Sequence, residues 1–247
     1  MKRTILNAGM ILCGEQLTPM GKGSLIIESG IIREILPQDA RQSLSIDDSE
    51  EISLPDMTLM PGMIECHNHL CIDATLPEHL ELLAWSNECQ LTLLALKGLK
   101  DDLMSGVTTA RCMGDKYYID VTMKKLIEEG RVHGPRLLAA GIGMKGSHGA
   151  GHIGMPHCGP EEIRHTCREN LKKGADLLKL FITPGVPDPV STFVPSFLSL
   201  EEISAAVSEG ARLGIPTAAH CIGGQGLKDC IDGGVDVIEH MYMATEQ

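Results

Sequence analysis

The segment "PGMIECHNHL", residues 61–70, ends an apolar run with two histidines, His67 and His69, that lie two positions apart. Alternate side chains of a strand point to the same face, so an extended segment 63–69 would direct both imidazoles to one side. Two imidazoles on one face can bind a common metal ion. The same pair is equally compatible with two hydrogen-bonded histidines that have no catalytic role. The rest of the chain must decide between these interpretations.

Composition and charge narrow the class of protein. Hydrophobic residues make up 43% of the 247 residues and charged residues 22%, which is ordinary globular usage. The formal net charge of -12 repels phosphate backbones and anionic lipids, so neither nucleic acid nor a membrane is expected as a partner. The nine cysteines include no CxxC pair, which predicts free thiols in a reducing, cytoplasmic location.

The hydrophobic pattern divides the chain into two predicted domains. Residues 1–56 are predicted to form short strands and turns, with a turn at Ser29 and Gly30 and a solvated acidic loop at 47–51. This part is too small to be stable alone and is expected to be the N-terminal part of a small β domain. Residues 57–247 change to an alternation of strand, loop and helix.

The second part is predicted to be an α/β domain with parallel strands. Its six predicted strands cover 63–69, 107–112, 136–141, 177–182, 215–220 and 235–240. Helices are predicted at 159–175 and at 199–214, where Ser199 is the expected N-cap. Nearly continuous apolar strands indicate burial on both faces. Both an open doubly wound sheet and a (β/α)8 barrel fit this pattern, and the absence of a GxGxxG fingerprint favours the barrel.

Four histidines occupy the ends of three predicted strands. His67 and His69 end the first, His220 ends the fifth and His240 ends the sixth. The carboxyl ends of barrel strands converge on one face, so the four imidazoles are expected to meet there. Imidazole ligands favour zinc or a similar divalent ion, and the sequence therefore predicts a metal centre.

Lys179 lies within the apolar segment "LLKLFI", where a strand buried on both faces leaves no room for a solvated ammonium. A buried ammonium must pair with a carboxylate, lose its proton or be modified. A neutral amine can react with carbon dioxide to give an anionic carbamate, which is a metal ligand. The alternative is a buried ion pair, for which Glu239 is a candidate.

The segments "PGMIECHNHL", "GADLLKLFITPG" and "IPTAAHCIGGQGLKDCIDGGVDVIEH" resemble the amidohydrolase superfamily, in its branch of imidazolonepropionase-like proteins and Xaa-Pro dipeptidases. The resemblance implies a (β/α)8 barrel, of which about six strands are present, with a flanking β-sandwich. It also implies two divalent ions, with zinc favoured. His67 and His69 would bind one ion, His220 and His240 the other, and carboxylated Lys179 would bridge them. A hydroxide between the ions would attack the carbonyl of an amide.

The sequence departs from the family pattern in two places. The family has an aspartate at the end of the eighth strand that shuttles a proton, and no residue here takes that position, so we expect a fragment of a longer protein. Two residues after His220 stands Ile222, where relatives carry a polar residue, which weakens dipeptide specificity.

The expected substrate is a small amide: a dipeptide, an N-acyl amino acid or a cyclic amide. His148 and His152, in the glycine-rich segment 141–154, and Tyr242 are predicted to contact it. His133, His157 and His165, in predicted loop or helix positions, are expected to be ordinary residues. The resemblance favours a homo-oligomer. Two alternatives stay open, namely a mononuclear site using only His67, His69 and His220, and a non-catalytic binding module.

Overall fold

A computed structural model describes residues 3–43, 49–149, 151–185 and 193–245. The chain divides into two compact units, Met1–Gly62 and Met63–Gln247. Within the described residues, no helix is both long enough and apolar enough to span a lipid bilayer. All nine cysteines are free thiols.

The smaller unit is one five-stranded, mostly antiparallel sheet. Its strands are β1 (Arg3–Cys13), β2 (Thr18–Pro19), β3 (Gly23–Glu28), β4 (Ile31–Pro37) and β5 (Ser49–Leu59), with a 3-10 helix at Gln38–Ser43. The order is β2-β1-β3-β4, and β5 pairs in parallel with β1. This single sheet supports the predicted β-sandwich only in part.

Of two local predictions for this unit, the turn at Ser29 and Gly30 is confirmed and the acidic loop is wrong in part. Ser29 and Gly30 both adopt positive φ, 53° and 76°, and turn the chain from β3 into β4, as a two-residue hairpin requires. The predicted acidic loop is wrong over 49–51, which are the first residues of β5. Pairing with β1 explains this, since Glu50 and Glu51 lie opposite Thr4 and Ile5. Residues 47 and 48 lie outside the described residues.

The larger unit contains two parallel sheets. The first has the order β6 (Met63–Asn68), β7 (Val107–Cys112) and β8 (Arg136–Leu138). The second has the order β10-β9-β11-β12-β13, formed by β9 (Met144–Gly146), β10 (Met155–His157), β11 (Leu178–Phe181), β12 (Thr217–Gly223) and β13 (Val237–Met243). The α/β class is confirmed. The strands described do not close into a barrel, so the (β/α)8 architecture stays a prediction.

The described part of this unit also contains six helices, which lie between these strands in the chain. They are α1 (His79–Trp85), α2 (Glu88–Met104), α3 (Ile119–Glu128), α4 (Pro160–Lys173), α5 (Leu200–Ala211) and α6 (Gly224–Asp232), and a 3-10 turn at Lys116–Tyr118 precedes α3. One buried cluster joins β9, β11 and β12 to α4 and α5, and a second joins β7 to α2 and α3. Burial on both faces is confirmed for β12. It is wrong for β6, an edge strand where Ile64 is 66% exposed.

The third predicted strand, 136–141, ends early, at Leu138. The backbone N–H of Ala139 donates to Asp176, and those of Ala140 and Gly141 both donate to Asp120. These carboxylates capture the donors that a longer strand would need for its ladder, so the strand stops. The predicted fifth and sixth strands, in contrast, end later than expected. They continue three residues beyond His220 and His240, because Gly223 still pairs with Met243.

Helix α5 begins with the predicted N-cap. The N–H of Glu202 donates to Ser199 Oγ at 3.3 Å, and the N–H of Ser199 donates to Glu202 Oε2 at 2.8 Å, which makes a capping box. Glu202 Oε1 also accepts from the N–H of Gly159, the N-cap of α4. One glutamate therefore joins the starts of two neighbouring helices.

We expect Ser199→Ala to lower the free energy of unfolding by about 1 kcal/mol, because it removes the acceptor for an N–H of the first helical turn. Chemical denaturation of the purified protein measures the change. Ser208→Ala, at an exposed position within the same helix, is the matched control and should have almost no effect. Equal effects of the two substitutions would contradict the capping role.

Candidate active site

Four histidines predicted to converge do lie together in the larger unit. The ring centroids of His67 and His69 are 5.3 Å apart, those of His67 and His240 are 4.8 Å apart, and those of His220 and His240 are 4.7 Å apart. The four imidazoles thus form a continuous group, which we call the histidine group. His240 has φ of 81°, a left-handed conformation that is costly for a residue with a Cβ and is found preferentially at functional sites.

Backbone and side-chain acceptors determine the tautomers of three of these rings. His67 Nδ1 donates to Glu239 Oε2 at 3.0 Å, His69 Nδ1 donates to the carbonyl of Gly114 at 2.9 Å, and His220 Nε2 donates to the carbonyl of Pro184 at 2.9 Å. An ionised carboxylate and a carbonyl only accept, so each of these nitrogens carries the proton. The second nitrogen of each ring is left with a lone pair, as a metal ligand requires.

Burial keeps the histidine group neutral near pH 7. It lowers the pKa of His69 to about 3 and that of His220 to about 4, because the charged imidazolium loses its hydration. Desolvation also lowers the pKa of His67 and that of His240. Neutral imidazole is the form that binds metal ions.

Lys179 is the largest fully buried side chain of the unit, and its Nζ has no hydrogen-bond partner among the described residues. Burial lowers its pKa to about 7, an effect opposed by the negative charge of Glu239 and reinforced by the positive charge of Arg111. The amine lies 5.2 Å from the ring centroid of Phe181. The ion pair considered with Glu239 is not formed, because that carboxylate binds other groups.

Glu239 joins the two sheets of this unit. Its Oε2 accepts from His67 on β6, and its Oε1 accepts from Arg111 Nη2 on β7 at 2.7 Å, while Glu239 itself lies on β13. Arg111 Nε donates to the carbonyl of Cys66 at 2.8 Å. Sequence reasoning missed Arg111, although a charged residue inside an otherwise uncharged strand was an available signal.

A second carboxylate holds the chain on the other side of His69. Asp115 Oδ2 accepts from the N–H of Leu70 at 3.2 Å, and Oδ1 accepts from the N–H of Cys71 at 3.1 Å. Because Gly114 accepts from the ring of His69, residues 114–115 bind both this ring and the peptides that follow it. Burial, together with the negative charge of the nearby Asp120, raises the pKa of Asp115 to about 8. Asp115 was also missed, since its partners are remote in sequence.

The ring of Phe181 lies beside Lys179 and two of the histidines. Its ring centroid lies 6.4 Å from that of His69 and 6.2 Å from that of His220. Two glycines make room for this ring, since a Cβ at Gly143 would lie 2.4 Å from it and a Cβ at Gly154 would lie 2.8 Å from it.

The predicted substrate-binding residues differ in their placement. Tyr242 lies beside the histidine group, with its ring centroid 6.3 Å from that of His240, and its hydroxyl donates to the carbonyl of Gly185 at 3.0 Å. His148 packs edge-on against Phe197 at 5.7 Å, and its described contacts do not include the histidine group. His152 is exposed. Their substrate contacts stay predictions.

His157 and Ile222 are two further positions that the sequence singled out. His157 is buried and lies in strand β10, not in a loop. Its two ring nitrogens form hydrogen bonds with Met155 O and Thr166 Oγ1, so its role is structural. Ile222 is 1% exposed.

A cavity of about 180 Å³ adjoins His69 and is lined on one side by Asp73, Lys97, Asp101 and Asp102. A cavity of about 190 Å³ in the smaller unit, lined by residues such as Asn7, Lys22 and Ser24, has no histidine or carboxylate in its lining. Of these two cavities, only the one beside His69 adjoins the histidine group.

The histidine group has the chemistry of a metal centre, but its side chains are not arranged as a metal cage. Within the described ranges, no three His, Cys, Asp or Glu side chains are already placed as a metal cage. Neutral imidazoles that each keep one nitrogen as an acceptor are nevertheless ligands that divalent zinc accepts. Occupation of the site stays a prediction.

Residues 58–246 match the amidohydrolase family. The chain belongs to this family. Ochratoxinase from Aspergillus niger is 26% identical over an alignment of 276 positions, which covers 100% of this chain and 56% of ochratoxinase. The chain thus spans about half the length of this curated relative.

Two solved structures of the same fold are similar as well. A Xaa-Pro dipeptidase with methionine bound in its active site is 27% identical, with a TM-score of 0.79, and the match covers 99% of this chain and 63% of that one. A prolidase complexed with N-methylphosphonate-L-proline is 25% identical, with a TM-score of 0.81, over 99% of this chain and 62% of that one.

We expect Glu239→Gln to lower the free energy of unfolding by about 2 kcal/mol, because an amide offers one acceptor where two donors, from His67 and Arg111, must be satisfied. Denaturant titration measures the loss. Glu201→Gln, an exposed carboxylate of α5, is the control. An unchanged stability of Glu239→Gln would show that the bridge contributes nothing.

Lys179→Met should stabilise the metal-free protein. The substitution replaces a buried amine that lacks a partner with an apolar chain of similar volume, so we expect the free energy of unfolding to rise by about 1–3 kcal/mol in the presence of a chelator. Chemical denaturation of Lys179→Met and of the control Lys172→Met, at an exposed position on α4, measures the change in the free energy of unfolding. A destabilised Lys179→Met would mean that the amine has a favourable role in the metal-free fold.

Proposed function

We propose that this chain carries the site of a metal-dependent amidohydrolase that cleaves a small amide. The observation that supports it is the histidine group around the unpartnered, buried amine of Lys179. The proposal includes the finer fold, a (β/α)8 barrel with a flanking β-sandwich, and the division into residues 1–56 and 57–247. The relatives that hydrolyse amides, a Xaa-Pro dipeptidase and a prolidase, support it.

The proposed metal ligands are His67, His69, Lys179, His220 and His240, holding two divalent ions with zinc favoured. Family members generally use divalent metals. Such ions, when bound, lower the pKa of water and polarise the carbonyl of an amide.

The chain's own residues prepare this site in defined ways. Glu239, Gly114 and Pro184 each hold one histidine in the tautomer whose free nitrogen can be a ligand. The lowered pKa of Lys179 leaves a large share of neutral amine at pH 7. Neutral Nζ can form a bond to the carbon of carbon dioxide and release one proton, which gives an anionic carbamate. The amine is fully buried, with the ring of Phe181 beside it.

The proposed substrates are dipeptides, N-acyl amino acids or cyclic amides. A chelator should abolish hydrolysis of a panel of these compounds, and restored zinc should recover it. Loss of metal without loss of activity would contradict the proposal.

Metal content supplies a test that does not depend on the substrate. Elemental analysis should find about two divalent ions per wild-type chain, and His220→Ala should retain fewer. His165→Ala, an exposed histidine on α4, is the matched control and should retain the wild-type amount. Intact mass should show one added carbon dioxide on the wild type and none on Lys179→Met. Equal metal content in both alanine variants would refute the assignment of His220.

A further inference from the structure

Lys145 is a buried cation that the proposed metal centre does not use. It is 8% exposed and lies on β9 opposite Phe181 of β11. Paired residues of parallel strands project to the same face of a sheet. The preceding pair, Met144 and Leu180, packs into the hydrophobic core on the other face. Lys145 therefore leaves β9 on the same side as Phe181, whose ring lies beside His69 and His220.

The ammonium of Lys145 has no carboxylate partner among the described residues. Its only described acceptor is the carbonyl of Gly151 in the glycine-rich segment 141–154. An ammonium has three N–H donors, so one carbonyl leaves two of them unsatisfied by the protein. In a chain with 33 acidic and 21 basic residues, a buried cation without a carboxylate is unusual.

A second lysine lies in a similar environment nearby. Lys116, in the 3-10 turn before α3, donates to the carbonyl of Leu83 and likewise forms no ion pair with any described residue. Burial lowers the pKa of Lys145, and repulsion from Lys116 lowers it further, so the two charges act on each other. Two cations that repel each other in a partly desolvated site are stabilised when an anion binds to them.

We propose that Lys145, supported by Lys116, binds the carboxylate of the substrate and makes the site selective for amides that carry one. This inference rests on the proposed function. It adds a specificity-determining residue on β9 to a site otherwise built from β6, β11, β12 and β13. N-acyl amino acids and dipeptides carry such a carboxylate, whereas simple N-alkyl amides do not.

The test compares N-acetyl amino acids with their decarboxylated counterparts, which have the same side chain and amide bond. The zinc-loaded wild type should prefer the acids in kcat/KM by about 10- to 100-fold, the range of a charge-assisted hydrogen bond. Lys145→Gln should lose this preference mainly through KM, and Lys145→Arg should retain most of it. Lys125→Gln, which removes an exposed charge on α3, is the control and should behave as the wild type.

The outcomes separate this inference from the proposed function. The inference is overturned if Lys145→Gln keeps the preference for the acids, or if the wild type has no such preference. Neither result would contradict amide hydrolysis. If the wild type hydrolyses none of the compounds, the proposed function fails, and calorimetric binding of the same pairs decides the inference. Binding of the acids alone, lost in Lys145→Gln and kept in Lys125→Gln, supports the subsite. Equal binding of acids and counterparts refutes it.

Discussion

The carboxylate of Glu239 connects the two parallel sheets of the larger unit at the histidine group. No backbone pairing joins β6 to β13 among the described residues, so side chains must hold these strands in register. Glu239 does this with two charge-assisted hydrogen bonds, to His67 and to Arg111. The positions of the histidine rings depend on this bridge, because His67 and His240 come from the two strands that it joins.

The site is built from groups that are unfavourable in isolation. A buried amine at Lys179, a left-handed residue at His240 and the mutually repelling carboxyls of Asp115 and Asp120 each raise the energy of the folded chain. The cores beneath α2, α4 and α5 supply the apolar burial that offsets them. A structural domain without a ligand would have no need of this combination, which is why it supports a site.

Local patterns in the sequence predicted the elements that local physics controls. The strand Val107–Cys112 was predicted correctly at both ends, and Ser199 was correctly predicted as an N-cap. The early end of β8 could not be predicted, because Asp176 lies 37 residues away from the N–H that it captures. Arg111 and Glu239 are 128 residues apart, so their bond exists only once the sheets have assembled.

The packing of Phe181 against Gly143 and Gly154 restricts how this sequence can change during evolution. Either glycine could accept a methyl group only after the aromatic ring had been replaced by a smaller side chain, since the added atom would overlap it. The reverse order passes through a clash at the wall of the site. Changes at these three positions are therefore expected to be ordered in time, with position 181 first.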